Sequence, residues 1–150
     1  MPPSGRVVRF RIRRFHGSIA AMIERRTMWL TVGFAVGLLL TGVPYWRLPY
    51  NANIFADTLL LAGFAGLCVV TAVLAASGVA RLAQIFWIAL AAFPAAVAIR
   101  VVVETAQDPT DHNLWPFELV IAAVFSLVAV VPGLMIGALA RRMTSAGIAP

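Results

Sequence analysis

Four apolar stretches dominate the chain, at residues 28–46, 55–77, 82–103 and 115–140, with short polar breaks between them. A helix needs about 20 predominantly apolar residues to cross a hydrocarbon core of roughly 30 Å, and each stretch has that length. The pattern predicts an all-α integral membrane protein with four transmembrane helices in two hairpins. The break at residues 77–81 is too short to hold a domain, whereas those at 44–53 and 104–113 are longer. Tyr45, Trp46 and Tyr50 flank one longer break, and Trp115 and Phe117 the other, as expected of amphipathic rings at headgroup depth. Composition agrees: a 150-residue chain that is 61% hydrophobic and 12% charged, with mean hydropathy +0.90, exceeds what a soluble core can hide.

Charge gives the spans a direction. All twelve cationic residues are arginine, and ten of them flank the same ends of the apolar stretches. Arg6, Arg9, Arg11, Arg13, Arg14, Arg25 and Arg26 precede the first, Arg81 lies between the second and third, and Arg141 and Arg142 follow the fourth. Cationic flanks resist translocation, so both termini are expected in the cytoplasm, with residues 141–150 as a short tail. Those ten arginines against Glu24 give that side a formal charge of +9. The other side carries Arg47 and Arg100 against Asp57, Glu104, Asp108, Asp111 and Glu118, which is −3. A net charge of +6 therefore points to anionic membrane lipid as the partner; no nucleic-acid recognition pattern accompanies it. An arginine-only, alanine-rich composition suggests a GC-rich bacterial genome and the bacterial inner membrane.

Residues 1–27 form a basic segment before the first span. Val8, Ile12, Phe15, Ile19 and Met22 recur at helical spacing, while Arg6, Arg9, Arg13 and Glu24 fall largely elsewhere on the wheel. This is the pattern of an amphipathic helix lying in the membrane plane, with Arg6, Arg9, Arg13 and Arg14 on lipid headgroups. Gly17 and Ser18 interrupt it. A cleavable signal peptide is the competing interpretation of the first span. Its apolar run is too long for one and ends in Pro-Tyr-Trp-Arg instead of a small-residue cleavage site, so a retained helix is expected.

The two hairpins align at an offset of 60 residues, with Pro49 opposite Pro109, Asn51 opposite Asp111, Asn53 opposite Asn113 and Arg81 opposite Arg141. Pro-x-(Asn/Asp)-x-Asn before an apolar run is helix-start chemistry. Either a duplicated two-helix unit or two hairpins of equal length accounts for the alignment. Small-residue faces, Gly33-x-x-x-Gly37, Gly133-x-x-x-Gly137 and Ala91, Ala92, Ala95 and Ala96, predict close helix approach. Pro94 and Pro132 fall inside spans and predict bends, since each frees a carbonyl one turn earlier.

Chemistry is sparse. No ionisable residue lies at the centre of any span, which removes the groups a proton relay or ion-coupled transporter needs. Asp57, Arg100, Glu104 and Glu118 form a candidate polar cluster at the outer interface, and the spacing of Arg100 and Glu104 places them on one helix face. The cluster either pins the outer helix ends together or holds an anionic headgroup or substrate. Arg47, Asp108, Asp111, His112 and Trp115 form a candidate outer recognition surface. Asp108, Asp111, His112 and Glu118 lack a recognised ligand spacing, so no metal is expected. His16 and His112 lie on opposite sides of the membrane, Cys68 is a lone apolar-run cysteine, and no phosphate-binding loop or hydrolase motif is present. No catalytic residue and no cofactor are therefore expected. The sequence reads as a small non-catalytic membrane protein, an accessory or structural subunit with a membrane-protein partner or a second copy of itself. The alternative is a small oligomeric transporter or anionic-ligand binder working through the outer polar cluster.

Overall fold

The computed structural model describes residues 5–49, 57–107 and 114–146, the first sixteen as backbone only. Every element among them is a helix: α1 (Gly5–Arg47), α2 (Thr58–Ser77), α3 (Leu82–Leu90), α4 (Ala92–Gln107) and α5 (Trp115–Ala146). Four segments are long and apolar enough to cross a membrane: Ala21–Arg47, Thr58–Ser77, Leu82–Gln107 and Trp115–Ala146. The protein is thus a multi-pass, all-helical bundle.

Two elements depart from the sequence-based boundaries. The basic segment and the first span are a single uninterrupted helix of 43 residues, about 65 Å long at 1.5 Å per residue. Gly17 and Ser18 do not break it, because in a helix interior each is only about 1 kcal/mol or less worse than alanine. The third span is divided at Ala91 into α3 and α4. Pro94, one turn into the second piece, has no N–H to offer the carbonyl of Leu90. Pro132, by contrast, sits inside an uninterrupted α5.

α2 begins at Thr58, three residues after the expected start, and Asp57 caps it by accepting from the backbone N–H of Leu60 at 2.6 Å. The 60-residue alignment places Phe117 opposite Asp57, so this cap has no counterpart in the second hairpin. α2 ends on Gly78 in the left-handed region, φ +65°, where glycine carries no steric penalty. A Cβ there would lie 2.9 Å from the guanidinium carbon of Arg141, so an arginine side chain rests on the negative end of the α2 dipole.

The core runs the length of the bundle. Leu60, Phe93, Ala96, Val97 and Ala122 pack near one end, Leu67, Ala89, Ala92 and Val130 in the middle, and Leu74, Ala75 and Ile85 near the other. Glycines let the backbones meet. A Cβ at Gly133 would be 2.5 Å from the carbonyl oxygen of Cys68, and one at Gly137 would overlap the carbonyl of Ala72. The α2–α5 interface, the most extensive in the bundle, is therefore a backbone-to-backbone contact. Gly63 of α2 similarly faces the carbonyl of Leu40 in α1, the one that Pro44 leaves without its helical N–H. Gly33 and Gly37 pack on Leu74 and Leu67. Of the predicted alanine face, Ala92 and Ala96 are fully buried and Ala91 is exposed. These small-residue faces thus serve packing within the chain.

Candidate functional site

The site is built where the C-terminus of α1 meets α4. The last carbonyls of any helix lack intrahelical donors. That of Tyr45 would await the N–H of residue 49, and residue 49 is a proline. Two donors replace it: the backbone N–H of Leu48 at 3.2 Å and Nη1 of Arg100 at 3.0 Å. Arg100 stands on α4 and simultaneously donates from Nε to Oε1 of Glu104 at 2.7 Å, one turn further on. Its guanidinium carbon also lies 4.9 Å from the centroid of the Tyr45 ring. The Arg100 side chain is only 10% exposed and that of Glu104 32%, so the pair is partly shielded from solvent. A cation at the negative end of α1, neutralised by its own carboxylate, is a stable arrangement.

A second cross-link lies beside the first. Trp46 donates from Nε1 to the carbonyl of Ala96 at 2.9 Å, again joining α1 to α4. Tyr45 also stacks edge-on against Phe93 at 5.4 Å, and Phe93 against Phe64 at 4.9 Å. Aromatic rings therefore lead from the rim toward the middle of the bundle.

Within this framework is a cavity of about 300 Å³ bounded by Tyr45, Phe93, Val97, Arg100, Glu118 and Phe125. Glu118 belongs to the first turn of α5, where a carboxylate suits the positive end of the helix dipole. Of the five N–H groups of Arg100, two have acceptors among the described residues.

The predicted cluster is therefore brought together in part. Arg100 pairs with Glu104, and Arg100 and Glu118 share the cavity, while Asp57 is committed to the start of α2 and does not line it. In the predicted recognition surface, Arg47 and Trp115 are exposed helix ends. Asp108, Asp111 and His112 lie outside the described residues, as do the side chains of Arg6, Arg9, Arg13 and Arg14. Among the described residues, no three His, Cys, Asp or Glu side chains converge as metal ligands would. The sequence reading missed the Tyr45 carbonyl, although a proline four residues after a helical tyrosine signals an unmet acceptor. It also missed Phe93 and Phe125, which are indistinguishable by pattern from ordinary core phenylalanines.

Among the described residues, two buried hydroxyls have no partner, Oγ of Ser126 and Oγ1 of Thr105. Thr41 and Thr71, equally buried, donate to the carbonyls of Gly37 and Leu67 one turn earlier.

No protein-family model matches the chain, and no curated protein or solved structure is significantly similar to it.

Proposed function

We propose that this protein is a non-catalytic component of a membrane assembly, acting in the bacterial cytoplasmic membrane with both termini on the cytoplasmic side. The observation that carries this reading is the use to which Arg100 is put. This charge, only 10% exposed, is spent on a helix end and an intrahelical carboxylate. Below it the interior is closed by Leu60, Leu67, Ile85 and Val130, all fully buried, with no ionisable side chain between. Such an interior supplies neither a general acid or base nor a polar path across the bilayer. Its contribution lies in its surfaces, of which only 22–39% of each span is buried within the chain. Purification from native membranes in a mild detergent, followed by mass determination of the intact particle, tests this. A stoichiometric partner or a defined homo-oligomer is expected, and a lone monomer would overturn the proposal.

A second reading rests on the cavity, which Arg100 lines together with the aromatic rings of Tyr45, Phe93 and Phe125. In it the protein binds an amphiphile with an anionic head in the outer leaflet. An alkyl phosphate is the probe. Arg100→Lys retains the charge but loses the planar fork, so binding should weaken severalfold in a protein that thermal unfolding shows to be still folded. Equal binding by both proteins would eliminate this reading.

A further inference from the structure

At the other end of the membrane-crossing part of α1, Ala21–Arg47, the structure carries a second site, unrelated to Arg100 and independent of the partner reading. One face of α1, comprising Arg26, Leu30, Thr31 and Phe34, borders a groove of about 510 Å³ whose far wall is Ile88 of α3. From Arg26 to Phe34 it runs about 12 Å along the helix. Arg26 is partly buried and lines this groove, whereas its neighbour Arg25 is exposed and does not.

Nothing among the described residues neutralises Arg26. It makes no ion pair among the described residues, and Glu24, the only acid in α1, projects about 200° away around the helix. α2 and α3 contain no acidic residue, and the only one in α5 is Glu118, in its first turn at the other end of the bundle. Thr31 supplies a second donor. The hydroxyl of Thr27 is turned back to the carbonyl of Ile23 at 3.0 Å, but that of Thr31 makes no hydrogen bond among the described residues. A partly buried guanidinium, a free hydroxyl about a turn deeper and an apolar channel beyond them match one kind of molecule in order: phosphate, glycerol ester and acyl chain.

We propose that this groove is a binding site for an anionic phospholipid of the leaflet at the arginine-rich end. The phosphate lies on Arg26, and one acyl chain lies along Leu30, Phe34 and Ile88. A diffuse cationic surface would attract the same lipids without distinguishing one arginine from the next.

Native mass spectrometry of the full-length protein, titrated in detergent with phosphatidylglycerol or phosphatidylcholine, tests the site. The wild type should retain phosphatidylglycerol in preference to phosphatidylcholine. Arg26→Gln should lower phosphatidylglycerol retention severalfold, and Arg25→Gln should leave it near the wild-type level. Ile88→Trp, which fills the groove and keeps both arginines, should displace the lipid as well. Equal losses from the two arginine variants, or unchanged retention in Arg26→Gln, would overturn the proposal. Undiminished retention in Ile88→Trp, checked by thermal unfolding to be folded, would overturn the placement of the chain.

Discussion

At the scale of single residues, the outer site is governed by one missing hydrogen. Because Pro49 cannot serve the Tyr45 carbonyl, Arg100 does so together with the N–H of Leu48, and removing it takes one donor from that carbonyl and the guanidinium from Glu104. Arg100→Ala should cost about 2–3 kcal/mol, the scale of hydrogen bonds to charged groups, read from the folded fraction in a denaturing-detergent titration. Glu104→Gln keeps an acceptor and changes a third-exposed group, so its loss should stay below about 1 kcal/mol in the same titration. Ser126 offers the opposite case. Its hydroxyl is fully buried without a partner, and Ser126→Ala should stabilise the bundle by about 1 kcal/mol by removing an unmet desolvation cost. Loss of stability in that variant would mean that the hydroxyl is satisfied.

At the scale of elements, the glycines divide into two classes. Gly63, Gly133 and Gly137 abut backbone carbonyls, which cannot move without shifting a helix, whereas Gly33 and Gly66 abut the ends of Leu74 and Leu40. Gly137→Ala should therefore destabilise by about 1–3 kcal/mol, and Gly66→Ala by distinctly less, in matched unfolding titrations. The spans themselves were legible in the sequence because twenty apolar residues leave few alternatives in a bilayer. The start of α2 was not, since Asn51, Asn53 and Asp57 are all competent cap residue types and local pattern does not say that Asp57 takes the role. The division of the third span follows from Pro94, visible in advance. The same residue type in α5 leaves its helix unbroken, so proline marks where a helix can part and neighbouring packing decides whether it does.

At the scale of the whole molecule, four segments are long and apolar enough to cross a membrane, and the proposed cytoplasmic placement of both termini rests on that even number together with the arginine distribution. Reporter fusions at the N- and C-termini should both signal a cytoplasmic location; opposite signals would remove one of the four crossings. Of the site, the pairing of Arg100 with Glu104 was legible from their spacing, because a helix fixes that geometry by itself. The contribution of Tyr45 was not, for it depends on α1 ending beside α4, a relation that no local pattern encodes.

The unbroken course of α1 also sets a helical phase. Tyr45 and Arg26 ride on one shaft, about 28 Å apart, so the direction in which Arg26 points is fixed by the seating of the opposite end. One alanine inserted after Thr31 would turn everything before it by about 100° while leaving Gly37, Tyr45 and their contacts in place. Such a protein should keep its outer cross-links and swing Arg26 away from Ile88, like a key cut correctly at the bow and rotated at the bit.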